Sequence, residues 1–166
     1  MPRRGCKYSC EQPRARRPNV NDWATWLDQL AAWTHAVTFT CTRQTGKGFP
    51  IAETILKDTA RHFVTRVSRK CFGKTARSGK GVTAVGAFGW GTYDAHPHLH
   101  LSFACPKDMT FDDFASILNK AADRMRWFDR QRLIKPYRDL GWMTYTVKHG
   151  TDQVLLDLIP SSHHLA

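Results

Sequence analysis

The stretch HPHLHLSF, residues 96–103, constrains the fold of this chain more than any other segment. Histidines stand at positions 96, 98 and 100 of this stretch. Leu99, Leu101 and Phe103 occupy alternate positions between and after them. Because successive side chains of a strand point to opposite faces, the pattern predicts a β-strand over 97–104. One face of this strand is apolar and must cover a core. The other face carries imidazole groups, which packing alone does not require.

The flanking segments predict a single α+β domain over 20–166, preceded by a basic, disordered tail at 1–19. The predicted elements are a helix from Asn21 or Asp22 to about 34, a strand over 36–42, a helix from Pro50 to about 71, a strand over 82–91, the histidine strand, a helix from Thr110 to Trp127, a strand over 132–140, a short helix over 141–149 and a strand or helix over 152–159. After the first helix the order is strand, helix, strand, strand, helix, strand. This order is typical of the ferredoxin-like split β-α-β fold, an antiparallel sheet with helices on one face, here with an additional N-terminal helix.

The chain is strongly basic, with a formal net charge of +11 at pH 7. Six Arg and Lys residues fall within 1–19, and seven fall within 61–81, where no acidic residue occurs. Clusters of this kind favour a polyanionic partner, most often nucleic acid. The residues expected to contact its backbone are Lys70, Lys74, Arg77 and Lys80.

Two other patterns carry less weight. Gly73, Lys74 and Thr75 read like the end of a P-loop, but the leading glycine of that motif would fall at Ser68, so we reject it. Five cysteines include the pair Cys6 and Cys10, and no second pair with zinc-ligand spacing follows. We therefore expect reduced thiols in a cytoplasmic protein with no membrane segment.

The spacing of the three histidines limits how they can share a metal ion. Positions i and i+2 of a strand lie roughly 6.6 Å apart on one face, whereas i and i+4 lie roughly 13 Å apart. A regular strand therefore favours a pair of ligands, for which we choose His98 and His100. His96 joins them only if the chain bends near Pro97.

Three motifs in this order resemble those of the HUH endonucleases, the single-strand nickases of rolling-circle replication, conjugation and some transposition. Residues 97–103, PHLHLSF, resemble the His, bulky apolar, His motif of that family, and VTFTCT at 37–42 resembles its upstream strand. YTVK, from Tyr145 to Lys148, resembles its Tyr-x-x-Lys helix. The resemblance runs from about 36 to 149.

The resemblance implies a site-specific nickase of single-stranded DNA at a replication origin of a plasmid or phage, assisted by a host helicase. His98 and His100 would bind a divalent ion, Mg²⁺ or Mn²⁺, and Tyr145 would form a 5′-phosphotyrosine with help from Lys148. Many family members also place a glutamate eight or nine residues before the first histidine ligand, where this chain has Trp90 and Gly89. The third ligand is then His96, Asp94 or absent.

Two alternatives remain open from the sequence. His96, His98 and His100 also fit the spacing of the histidine-triad nucleotide hydrolases and transferases, in which the middle histidine attacks a phosphate without a metal. Pro97 is a poor spacer for that motif, and an enzyme that acts on mononucleotides does not need a net charge of +11. The other alternative is a non-catalytic single-stranded nucleic-acid-binding module, which explains the charge but gives the histidines no role.

Overall fold

The computed structural model describes residues 19–48, 50–90, 96–148 and 154–159. The expected tail over 1–19 therefore lies outside the described residues except for Asn19. None of the helices within these ranges has the length and apolar composition that crossing a bilayer requires.

Ten elements follow one another in the described ranges. They are helix α1 (Val20–Gln29), strand β1 (His35–Cys41), helix α2 (Glu53–Phe72), a 3₁₀ helix (Gly73–Ser78), strands β2 (Thr83–Trp90) and β3 (Pro97–Ala104), helix α3 (Phe111–Ala122), strand β4 (Phe128–Pro136), helix α4 (Leu140–Val147) and a second 3₁₀ helix (Leu156–Leu158). Residues 72–81, which we call the basic segment, lie between the predicted helix to about 71 and the predicted strand from 82, and they are partly 3₁₀-helical. Near the end of the chain, Val154 forms a single bridge to Ala87 before the last 3₁₀ helix.

The first helix is shorter than its sequence pattern predicts, and its cap is a different residue. Asn19 rather than Asn21 or Asp22 caps α1, because its side chain accepts a hydrogen bond from the Asn21 amide. The helix ends at Gln29 instead of about 34, since the Thr34 amide donates to the carbonyl of Phe103 in the sheet. Trp33 closes the turn, with its indole N–H donating to Leu27 O at 2.9 Å.

The predicted boundary between helix α3 and strand β4 is also wrong. We expected a helix to Trp127 and a strand from Arg132, but α3 ends at Ala122 and β4 begins at Phe128. Phe128 stacks on Phe39 with ring centroids 4.4 Å apart, and it pairs with Cys41 in the sheet. This aromatic packing draws the chain into the strand earlier than the local sequence pattern indicates.

The four strands form one antiparallel sheet in the order β2-β3-β1-β4. The order and the intervening helices are those of the ferredoxin-like split β-α-β arrangement, so the expected fold class is confirmed. In the register of the central strands, Thr38 lies opposite His100 and Thr40 lies opposite His98.

Two apolar cores cover the two faces of the sheet. Helices α2 and α3 cover the face that carries Leu99, Leu101 and Phe103, as the fold class predicts. On the other face, α1 and α4 pack together over Val85, through buried side chains that include Leu27 and Met143. The imidazole face is therefore partly covered, and α4 lies at the edge of what remains open.

Candidate active site on the imidazole face

His98 and His100 project from β3 toward the same side of the sheet, opposite the buried Leu99 and Leu101. Their ring centroids are 6.3 Å apart and their planes are nearly perpendicular, at 87°. This separation agrees with the i and i+2 spacing of a regular strand. The two imidazoles therefore border one cavity, as the sequence predicts.

The opposite strand holds His100 in place. The hydroxyl of Thr38, directly across in β1, lies 3.0 Å from Nδ1 of His100. His100 is almost fully buried, whereas His98 is half-buried. A hydrogen bond to one ring nitrogen fixes the ring orientation, an arrangement common for metal-ligating histidines. Thr38 was not singled out from the sequence, although it lies on the histidine side by strand alternation.

Tyr145 reaches this cavity because α4 is anchored at both its start and its inner face. Asp139 caps the helix by accepting a hydrogen bond from the Gly141 amide at 2.9 Å. The indole N–H of Trp142 donates to the Ser102 hydroxyl at 3.0 Å, which joins α4 to the histidine strand. Tyr145 is left 45% exposed, with its ring centroid 5.1 Å from that of His100.

These side chains surround a cavity of about 410 Å³, which we call the histidine pocket. Its walls include Thr38, His98, His100, Trp142 and Tyr145. The volume lies within the range of small-molecule sites and admits a nucleotide-sized group. His100 and Tyr145, which lie 45 positions apart in the sequence, thus line one cavity.

Lys148 lies next to the candidate nucleophile. Its ammonium group is over the Tyr145 ring, 3.6 Å from the centroid. The i and i+3 spacing therefore brings the pair together as expected. The contact is a cation–π interaction with the ring face, a geometry that the sequence did not specify.

Tyr137, a competing tyrosine in the sequence, has a structural contact instead. Its hydroxyl donates a hydrogen bond to the carboxylate of Asp28 in α1. Burial first, and then this bond to Asp28, raises the pKa of Tyr137 above its ordinary value. A phenol that is harder to ionise and already bonded is a poor nucleophile, which leaves Tyr145 as the better candidate.

A third protein ligand is not evident next to the histidine pair. In the described ranges no three His, Cys, Asp or Glu side chains come close enough to hold one metal ion, so His96 does not complete a triad with His98 and His100. Nδ1 of His96 and Nδ1 of His98 are both buried without a hydrogen-bond partner. Asp94, the alternative ligand, lies outside the described residues.

The basic segment lies away from the histidine pocket. Lys70 lies in the last turn of α2, while Lys74, Arg77 and Lys80 follow in the 3₁₀ helix and the turn into β2. β2 starts opposite Ala104, six residues along β3 from His98, which is about 20 Å of strand. These four cations are therefore close to one another but are not part of the cavity that Tyr145 borders.

No family model, no curated protein and no solved structure matches this chain.

Proposed function

We propose that this protein is a metal-dependent, site-specific endonuclease of the HUH type that nicks single-stranded DNA to start rolling-circle replication of a plasmid or phage. The observation that supports this most is the meeting of Tyr145 with His98 and His100 in one pocket. A tyrosine, two histidines and a lysine from separate elements form a set that packing does not require. Single-stranded origin DNA as substrate, a host helicase that opens the duplex and a cytoplasmic location belong to the same proposal.

In this reaction Tyr145 is the nucleophile. Its phenolic oxygen attacks the scissile phosphorus, and the bond from phosphorus to the 3′ oxygen of the preceding nucleotide breaks. The phenol loses its proton and the departing 3′ oxygen takes one up, leaving a free 3′-OH and a 5′-phosphotyrosine. A covalent link keeps the phosphodiester available for rejoining, which hydrolysis by water would not. Tyr145 suits this role because it is exposed beside the pocket.

The donor set of the pocket fits a divalent cation. The residues that would hold it are His98 and His100, with water or phosphate oxygens as further ligands, and when bound it would neutralise charge on the scissile phosphate. Imidazole nitrogens favour transition-metal ions over Mg²⁺, so Mn²⁺ suits this pair better. Thr38 supports the fit, because its hydroxyl holds the other imidazole nitrogen of His100.

Lys148 adds positive charge where negative charge develops. An ordinary tyrosine has a pKa of about 10, so attack at neutral pH needs stabilisation of the phenolate. The ammonium of Lys148 lies against the Tyr145 ring and places a positive charge beside the nucleophile.

The alternatives use fewer of these contacts. A histidine-triad enzyme would use His98 as its nucleophile and give Tyr145 and Lys148 no role. A binding module without catalysis would give no role to the bond between Thr38 and His100. The nickase proposal uses all five side chains, and we therefore prefer it.

A covalent adduct is the test of this function. The protein is incubated with Mn²⁺ and a pool of single-stranded oligonucleotides of random sequence, and adducts are resolved on a denaturing gel and sequenced. We expect an adduct of wild-type protein with one recurring sequence, linked through Tyr145. Binding without any adduct would leave the non-catalytic module, and hydrolysis of a nucleoside phosphoramidate without action on DNA would favour the histidine-triad enzyme.

A further inference from the structure

A second cleft lies on the side of the sheet covered by α2 and α3, away from the imidazole face. It has a volume of about 390 Å³ and is formed by α2 and the turn that follows α3. Arg66 and His62 line it from α2, one helical turn apart. Arg124 and Arg126 line it from the turn. Three arginines thus converge on one concavity that the proposed reaction does not use.

The arginines of this cleft have no counter-ion among the described residues. Asp58 also lines the cleft, but its carboxylate pairs with Arg61 at 2.8 Å, and the carboxylate of Asp123 pairs with Arg132. Neither Arg66 nor Arg124 forms an ion pair with a described residue. Like charges gathered in a cleft raise the local positive potential, which an anionic ligand would relieve.

The donors in the cleft suit phosphate groups. The guanidinium of Arg126 lies over the Trp127 ring, 4.5 Å from its centroid, which restrains the side chain. A planar guanidinium presents paired N–H donors that match two oxygens of a phosphate. An arginine restrained by stacking loses less conformational entropy when it binds.

Further basic residues follow along α2 toward the basic segment. Arg69 follows Arg66 by three residues, and with Arg77 and Lys80 it lines a second concavity of about 300 Å³. Asp157 also lines this concavity, and its carboxylate is paired with Arg61. We call these cations the far-face basic band, which consists of Arg66, Arg69, Arg77, Lys80, Arg124 and Arg126. Six cations over two concavities exceed what one phosphate needs and suit a chain of phosphates.

We propose that the far-face basic band binds the phosphodiester backbone of a nucleic-acid strand, at a site separate from the histidine pocket. The observations favour nucleic acid over a membrane surface. Peripheral membrane binding needs large apolar side chains that project beside the cations. The exposed large apolar residues of the described chain are Trp26, Trp90, Leu133, Leu140 and Tyr145, and none of them lines either concavity of the band.

The test compares two triple variants that remove equal charge. One combines Arg66→Ala, Arg124→Ala and Arg126→Ala. The control combines Lys47→Ala, Lys107→Ala and Lys120→Ala, three exposed lysines outside the band. Both are made in a Tyr145→Phe background, which prevents cleavage. The probe is a fluorescein-labelled eight-nucleotide oligo-dT, and thermal melting verifies that each variant is folded.

We expect two oligonucleotides to bind each control molecule and one to bind each band variant. Over a salt titration with longer oligo-dT, losing three phosphate contacts should flatten the slope of log affinity against log salt by roughly 2. If the proposed nicking function is wrong and the histidine pocket binds no DNA, the control should bind one oligonucleotide and the band variant should bind none. That result would still support DNA binding by the band. Unchanged stoichiometry and slope would overturn it. Loss of binding to phosphatidylserine vesicles with oligonucleotide binding intact would overturn it as well.

Discussion

The ammonium group of Lys148, the residue that follows α4, lies 3.6 Å from the centroid of the Tyr145 ring. The contact joins a cation to the π face of a phenol, which is a favourable cation–π geometry. The two residues therefore act on one another before any substrate is present. Because the ring is also 5.1 Å from the ring of His100, a phosphate at Tyr145 would lie beside the histidines.

The first prediction concerns the nucleophile. Tyr145→Phe removes one oxygen from an exposed side chain, so stability should change by less than about 0.5 kcal/mol. The variant should bind single-stranded DNA as the wild type does and form no covalent adduct on a denaturing gel. Tyr137→Phe is the matched control. It should keep the adduct but lose about 1–2 kcal/mol of stability, because the Asp28 carboxylate loses its donor.

Peptide mapping of the DNA-linked protein makes this prediction specific. The linked peptide should contain Tyr145. A linkage at Tyr137 would move the active site to the end of β4. Tyr8 and Tyr93 lie outside the described residues, and a linkage at either would equally contradict the assignment.

The second prediction concerns the lysine. Lys148→Ala should slow adduct formation by about tenfold to a hundredfold, because one stabilising charge is lost while the nucleophile remains. Lys148→Arg should recover most of the rate, since it keeps a cation over the ring. Equal rates for the alanine variant and the wild type would show that Lys148 only packs against Tyr145.

The third prediction concerns the metal ligands and their support. His98→Ala and His100→Ala should each abolish cleavage, and EDTA should do the same to the wild type. His96→Ala should have a smaller effect, since His96 forms no triad with them. Adduct formation that continues unchanged in EDTA would remove the metal from the mechanism.

Thr38→Val separates metal binding from packing. It keeps the branched shape and removes the hydroxyl that contacts His100, so Mn²⁺ affinity measured by calorimetry should fall by about 10–100-fold. Thr40→Val is the control, because Thr40 lies on the same strand face and makes no hydrogen bond to a histidine. Similar losses in both variants would indicate a general effect on the strand.

The sequence predicted the order of elements along the chain and the histidine face, because alternation is a local signal that burial preserves. Leu99, Leu101 and Phe103 are all fully buried, as period-two patterning requires. The YTVK segment was likewise assigned to a helix, and α4 ends at Val147. Local patterns therefore predict well which side of a helix or strand faces the core.

Other features depend on partners distant in the sequence. The early end of α1 follows from a hydrogen bond between Thr34 and Phe103, 69 residues away. The early start of β4 follows from stacking between Phe128 and Phe39. No window around Thr34 or Phe128 contains that information. The bond between Thr38 and His100 depends on strand register, which the sequence alone left unassigned.

The fourth prediction concerns Gly86, which lies in β2 directly opposite Leu101. A Cβ added there would come within 2.4 Å of the His100 carbonyl oxygen and of Leu101 Cδ2. Because the His100 carbonyl belongs to the central strand β3, whose backbone cannot move away easily, Gly86→Ala in β2 should destabilise the protein by about 2–3 kcal/mol in urea unfolding. Gly46→Ala is the control, since a Cβ there meets nothing within 4 Å. Equal midpoints for the two variants would contradict the packing that β2 and β3 show.

The last prediction uses His35, which is fully buried at the start of β1 and stacks on Phe111 with centroids 4.1 Å apart. Burial lowers the pKa of His35, and the hydrogen bond between Nε2 and the Phe111 carbonyl opposes this more weakly. The unfolded chain therefore binds a proton more readily than the folded one. The contribution of His35 to the free energy of unfolding should be fully present above about pH 6.5. It should fall by at most about 1.4 kcal/mol per pH unit as the pH drops toward the lowered pKa of His35.

Urea unfolding at pH 7.5 and pH 5.5 measures this dependence. His35→Gln should be less stable than the wild type at pH 7.5, because it loses the aromatic stacking, but its stability should change less between the two pH values. His62→Gln, at an exposed histidine of α2, should retain the wild-type dependence. If His35→Gln and the wild type lose the same free energy on acidification, the proton is taken up elsewhere and His35 has no part in the acid sensitivity of the fold.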